Sequence, residues 1–85
     1  MVFPMGITVL YFAAARDHAG ISEERFEVAA GATVAGLRAQ IEERHAALAG
    51  KLGQVRFARN ERFVPETEVL ADGDTVAVIP PVAGG

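Results

Sequence analysis

A single stretch of this chain carries a helical period, and extended runs flank it on both sides. That imbalance limits the fold more than any other feature. Thr33 is a good N-cap. Val34, Leu37, Ile41 and Leu48 then recur at steps of 3, 4 and 7 residues, which gives one apolar face. Gln40, Glu42, Glu43 and Arg44 lie mainly elsewhere. The spacing predicts a helix from about Thr33 to Ala46 or Ala47, with Gly50 and Gly53 bracketing the turn that follows. One amphipathic helix must bury its stripe against another layer, and the remaining segments read as strands.

Those strands come in order. From about Gly6 to Ala13 the chain is β-branched and aromatic, through Ile7-Thr8-Val9-Leu10-Tyr11-Phe12. A near-continuous apolar run of this kind predicts a central, buried strand. Ala13 to Gly20 reads as a loop, with a helical turn left open within it. Glu23 to Ala29 alternates, with Arg25 and Glu27 polar and Phe26 and Val28 apolar, which predicts a half-exposed strand antiparallel to the first. After the helix, Gln54 to Asn60 alternates again. Asn60-Glu61 turns into Arg62-Phe63-Val64, and Pro65 breaks that segment. Ala71-Asp72-Gly73-Asp74 is a tight turn, with glycine supplying positive φ, and Thr75 to Ile79 is the closing strand.

The order β-β-α-β-(short β)-β predicts an α+β domain with a mixed sheet and one main helix packed on one face. A hairpin, a crossing helix and a late returning strand make a β-grasp, or ubiquitin-like, roll. Residues 1–79 are assigned to this single domain, and residues 80–85 to an extended tail.

The tail reads Pro80-Pro81-Val82-Ala83-Gly84-Gly85. Two prolines fix φ and remove two backbone donors, so no sheet continues through them. The two final glycines lack Cβ atoms and can enter a narrow space. Fully extended, six residues reach about 20 Å. A thin arm carrying an unhindered carboxylate points to Gly85 as the reacting group and to the preceding residues as its means of presentation.

The rest of the composition argues against other functions. A length of 85 residues holds one small domain, and 51% hydrophobic with 22% charged content is globular. The absence of cysteine rules out a disulfide scaffold, a thiolate zinc site and an iron–sulfur cluster. A net charge of −3 without a basic patch speaks against nucleic-acid binding. No apolar run approaches a membrane span, and Met1 to Met5 is too short and uncharged for a secretory signal, so the expected location is cytoplasmic. His18 and His45 are far apart in sequence, and solvent exposure is expected of both rather than metal binding or catalysis. Asp72-Gly73-Asp74 lacks the other ligands of a calcium loop. Gly31 to Gly36 lacks the Gly-Lys-Ser/Thr of a phosphate loop. No metal site and no stably bound cofactor are expected.

Across essentially its whole length the chain resembles the small, sulfur-carrying subunit of molybdopterin synthase. The resemblance rests on Leu10-Tyr11-Phe12-Ala13 with Arg16, on Thr33-Val34 with Leu37-Arg38, and on Ala58-Arg59-Asn60. It is most specific in Leu70-Ala71-Asp72-Gly73-Asp74 through Val76-Ala77 to the Pro-Pro-Val-Ala-Gly-Gly end. Two positions depart from the family's habit: Ala83 where Ser or Thr is common, and Ile79 where Phe is common. The resemblance implies that an activating enzyme joins the Gly85 carboxylate to AMP from ATP. A sulfur donor then converts it to a thiocarboxylate. The carrier docks on the large synthase subunit, inserts residues 80–85, and gives sulfur to cyclic pyranopterin monophosphate. It would be the non-catalytic, sulfur-donating half of that enzyme. A thiamine-pathway sulfur carrier and a ubiquitin-like protein modifier share the Gly-Gly end and stay open as alternatives. A β-grasp interaction module with an inert tail is a further alternative, of another class.

Docking on a partner needs an exposed apolar patch. The candidates are Phe63 and Ile79, with Pro80, Pro81 and Val82 at the base of the arm. Phe63 follows a turn in a short segment, where a large aromatic is either exposed or tucked into the core. Arg16 either joins this surface or anchors its own loop. Leu10, Phe12, Phe26, Phe57 and the helix stripe are expected in the core.

Overall fold

Strand β1 (Met5–Tyr11) has partners on both sides and sets the direction of the sheet. The computed structural model describes residues 4–81. After β1 come helix α1 (Ala13–Ala19), strand β2 (Glu23–Val28), helix α2 (Val34–Arg44), a short 3-10 helix (Ala46–Leu48), and strands β3 (Arg56–Arg59), β4 (Arg62–Val64) and β5 (Thr75–Ile79). The five strands lie in the order β2-β1-β5-β3-β4. β1 and β5 are parallel, and the other pairs are antiparallel, so the sheet is mixed. This is the α+β arrangement expected of the sequence, with α2 as its main helix.

The alternation along each strand decides what is buried. Ile7, Val9 and Tyr11 of β1, Phe26 and Val28 of β2, Phe57 of β3, and Val76 and Val78 of β5 belong to one buried cluster. Val34, Leu37 and Ile41 of α2, with Leu48 just beyond it, complete that cluster from above the sheet. Removing each such side chain from water stabilises the fold by about 1.5–3 kcal/mol.

Local chemistry sets the ends of the elements. The Thr33 hydroxyl accepts from the Gly36 N–H at 3.3 Å and starts α2. Val34 N donates to Glu68 O, and Leu70 N to Ala32 O, so the chain before β5 holds that helix start in place. β3 and β4 are joined by Asn60 and Glu61 alone, both at positive φ (50° and 72°), as a two-residue hairpin turn requires. Gly73, at φ 87°, makes the turn into β5. Its N–H donates to Gly6 O at 2.8 Å, and Gly6 N donates to the Asp72 carboxylate at 2.7 Å. Among the described residues, no helix is long and apolar enough to cross a membrane.

Four expectations need correction. Ala13 to Ala19 forms a true α-helix rather than a loop. Its three leading alanines are strong helix formers. Gly20 closes it in the left-handed conformation by donating to Arg16 O. Helix α2 ends at Arg44, short of Ala46, because His45 (φ −121°, ψ 90°) leaves helical geometry and turns its ring onto Glu24. His45 is therefore largely buried, not solvent-exposed, whereas His18 is exposed. Phe12 is 46% exposed, and Leu10 is only half-buried. Both lie on the face of the sheet opposite α2, since the alternation that buries Val9 and Tyr11 sends its even-numbered neighbours outward.

Candidate functional site

The open face of the sheet carries a transverse row of apolar residues. Leu10 of β1 is in register with Ala77 of β5, Ala77 with Ala58 of β3, and Ala58 with Phe63 of β4. Two small residues in the middle and two large ones at the ends make a trough. Phe12 and Ile79 lie along its length. The trough encloses about 570 Å³, with Thr75, Asn60 and Glu61 on its rim. Phe63 is 54% exposed, and the Arg56 guanidinium lies over its ring. A contiguous apolar hollow with a polar rim is the form of a protein-docking surface.

Strand β5 links this surface to the tail. Its outward residues Ala77 and Ile79 form the floor of the trough, with Thr75 at its rim. The chain then passes directly into Pro80 and Pro81, which lie outside the strand.

On the other side of the sheet, Glu24 gathers three partners. The Tyr11 hydroxyl donates to Glu24 Oε1 at 2.6 Å, the His45 Nε2 meets the same oxygen, and Arg44 approaches Oε2 at 3.5 Å. The His45 ring stands edge-on to Tyr11, with centroids 5.8 Å apart. Burial alone would raise the Glu24 pKa. It is outweighed by the hydrogen bonds from Tyr11 and His45 and by the charges of His45 and Arg44, and the net shift is downward. Burial raises the Tyr11 pKa, and the hydrogen bond and charge of Glu24 raise it further, so the phenol remains a donor. This cluster ties β1 and β2 to the end of α2. It contains a histidine, but that histidine is committed to structure. Among the described residues, no three His, Asp or Glu side chains group as metal ligands.

Comparison with known proteins identifies the family. The family model described as the ThiS family matches residues 9–85. The chain belongs to the ThiS family. It is 46% identical to the molybdopterin synthase sulfur carrier subunit of Chlamydomonas reinhardtii over 83 residues, which covers 95% of this chain and all of that protein. Its fold matches the small archaeal modifier protein 1 of H. volcanii with a TM-score of 0.86 at 26% identity, covering 92% of this chain and 99% of that one. It also matches the complex of subunits 1 and 2 of molybdopterin-converting factor from Helicobacter pylori 26695. There the TM-score is 0.70 at 26% identity, covering 95% of this chain and all of the matched one. The resemblance drawn from sequence motifs therefore holds over almost the full length, and the β-grasp fold with it.

For this ThiS-family chain, the structure brings two of the expected docking residues together. Phe63 and Ile79 line the same trough. Arg16 lies on α1, exposed, and does not line that trough. Pro80 and Pro81 stand at the base of the tail, half-buried and exposed respectively. The expectations for Val82, Ala83, Gly84 and Gly85 fall outside the described residues. Leu10, Phe12, Ala58 and Ala77 line the trough as well, and none of them was among the expected docking residues. Their signal was present, because β1 is apolar at both parities while only one face of its sheet has a helix to meet it.

Proposed function

We propose that this chain is the sulfur carrier subunit of a molybdopterin synthase, with the Gly85 carboxylate as the group that carries sulfur. A carboxylate resists attack by a sulfur nucleophile, because oxide would have to leave. An activating enzyme joins the carboxylate to AMP from ATP, releasing pyrophosphate. Sulfur from a donor then attacks the acyl carbon, AMP leaves, and a thiocarboxylate remains. The carrier binds no cofactor stably, and ATP belongs to the activating partner.

The observation that carries this reading is the continuity of β5. One strand forms the floor of the apolar trough at Ala77 and Ile79 and runs on into the Pro-Pro tail. A partner seated on the trough would therefore receive the tail at a fixed point. The large synthase subunit is that partner. Residues 80–85 enter its active site, where its side chains catalyse transfer of the sulfur to cyclic pyranopterin monophosphate.

The test is intact-mass spectrometry after incubation with the activating enzyme, ATP and a sulfur source, beside a chain lacking Gly85. The expected product gains the mass difference between sulfur and oxygen, mapped to the C-terminal peptide. Adding the large subunit and the pterin precursor should then discharge it. A chain that stays in the carboxylate form throughout refutes the reading. Likeness to the small archaeal modifier supports a second reading, conjugation to other proteins. That would appear as higher-mass species in an immunoblot of cell extract, lost on deletion of Gly85.

A further inference from the structure

Strand β2 ends the sheet, and among the described residues no strand lies beyond it. Its register with β1 decides which of its backbone groups point outward. Tyr11 N donates to Ser22 O at 2.9 Å, which makes those two a hydrogen-bonded pair. Bonded and non-bonded pairs alternate along antiparallel strands. Glu24, Phe26 and Val28 therefore turn their backbone groups toward β1, opposite Val9, Ile7 and Met5. Glu23, Arg25 and Glu27 turn theirs away from it. An outward row of this kind is a template for the addition of another strand.

The middle of that row is already taken. Arg44, at the end of α2, donates from Nη1 to Arg25 O at 3.0 Å. Its guanidinium carbon lies 3.9 Å from the centroid of the Phe26 ring, and Nη1 stands 3.5 Å from Glu24 Oε2. One planar cation thus touches Glu24, Arg25 and Phe26 in turn. The opposite edge of the sheet offers far less to pair with. β3 and β4 meet in a two-residue turn, which makes Arg59 and Arg62 a bonded pair. Only Phe63 of β4 then points its backbone outward before Pro65 ends the segment.

The side chains of β2 select what would add to it. Opposite charges across two strands stabilise their pairing, and like charges oppose it. An antiparallel pairing of β2 with β2 of a second copy, centred on Glu23, Glu24, Arg25 or Glu27, sets like charges face to face. Centred on Phe26, it sets Arg25 opposite Glu27 of the other copy, and does so twice about the two-fold axis. Such a contact is self-complementary and closes at two chains. Its central hydrogen bonds need Arg25 O to accept from the Glu27 N–H of the other copy, and that oxygen is the one Arg44 holds. We propose that Arg44 is an autoinhibitory contact, which closes the β2 edge against pairing with a second copy of this chain. Withdrawal of its guanidinium frees the carbonyl, and two sheets then join through β2. Nothing in this depends on what Gly85 carries.

The experiment is sedimentation velocity on the full chain, carried into the millimolar range, beside Arg44→Ala and Arg44→Met. The Arg44 side chain is 47% exposed, so its removal leaves the core intact, and methionine keeps an unbranched stem over Phe26 without the donor. Both variants should form dimers at a concentration about tenfold or more below any at which the native chain does so. In those dimers the Arg25 and Glu27 amides should gain protection from hydrogen exchange. Adding Glu27→Arg to Arg44→Ala should return the chain to monomer, and adding Arg25→Glu as well should restore the dimer. Folded Arg44 variants that stay monomeric throughout would overturn the proposal. So would a dimer that leaves the Arg25 and Glu27 amides unprotected, or one indifferent to the charge at position 27.

Discussion

The Arg56 guanidinium carbon sits 3.8 Å from the centroid of the Phe63 ring, on the face of the sheet turned away from α2. Arg56 and Phe63 come from neighbouring strands, and the cation covers an aromatic that the fold itself leaves exposed. A surface cation–π contact of this kind is worth only about 0.5–1 kcal/mol. Phe63→Ala should therefore cost no more than about 1 kcal/mol of folding stability by thermal melting. Buried aromatic anchors dominate many interfaces, at about 2 kcal/mol or more each. The same variant should bind the large subunit about 30-fold more weakly by calorimetry. A collapse in stability with binding unchanged would move Phe63 from the interface to the core.

Tyr11 presents the opposite case, a polar group doing structural work inside the sheet. Its hydroxyl donates to Glu24 Oε1 at 2.6 Å. Tyr11→Phe keeps the ring but removes the donor, which should cost about 1–3 kcal/mol in urea unfolding. The folded phenol titrates well above the usual value because burial and Glu24 disfavour its ionisation. An unfolded tyrosine loses its proton near pH 10, while the folded one holds it. Stability should thus be intact below about pH 10 and fall as pH rises past it. Tyr11→Phe should flatten that alkaline limb. An unchanged limb would mean that another group sets it.

Glu24 gives the acid side. Its folded pKa is held below the ordinary value by Tyr11, His45 and Arg44 against the opposing effect of burial. In acid the unfolded chain therefore binds more protons at this position than the folded chain. Stability from the cluster is fully present above about pH 4.3 and is lost as pH falls through and below that value. Glu24→Gln should lower stability at neutral pH and reduce the slope of stability against pH below about 4.3. Equal slopes in both proteins, measured by urea unfolding from neutral to acid pH, would show that Glu24 is not the group responsible.

The extent to which this fold can be read from the sequence follows from how local each signal is. The stripe Val34-Leu37-Ile41 and the alternation in β2 are patterns within one element, and both appear in the structure as read, while Leu48 reaches the same core from the 3-10 helix beyond α2. The Asn60-Glu61 turn was also local, fixed by two residues that had to take positive φ. Phe12 and Leu10 were misplaced because a continuous apolar run has two explanations. It can mean burial on both faces, or burial on one and a docking surface on the other. Only the number of helices available to cover the sheet separates the two. His45 was misread because its partners come from elsewhere in the chain: Glu24 lies 21 residues away, and no periodicity connects them.

Asp74 is the buried acid that holds the turn before β5, at 7% exposure. Its Oδ2 accepts from Ala71 N at 2.7 Å, and its Oδ1 accepts from Asn60 Nδ2 at 3.0 Å. Asn60 in turn accepts from Thr75 N at 2.9 Å, so one carboxylate joins the hairpin turn to the first residue of β5. Hydrogen bonds to a charged group contribute about 1.5–3 kcal/mol, and a buried donor left without a partner adds its own cost. Asp74→Ala should therefore destabilise by about 3 kcal/mol in urea unfolding. Asp74→Asn retains one acceptor oxygen but places an amide N–H₂ against one of the two donors, so its loss should be intermediate. Because β5 forms the floor of the trough proposed to seat the large subunit, both variants should also weaken large-subunit binding in the same order. Equal losses in stability for Asp74→Ala and Asp74→Asn would show that charge, rather than the pair of directed acceptors, is what this turn requires.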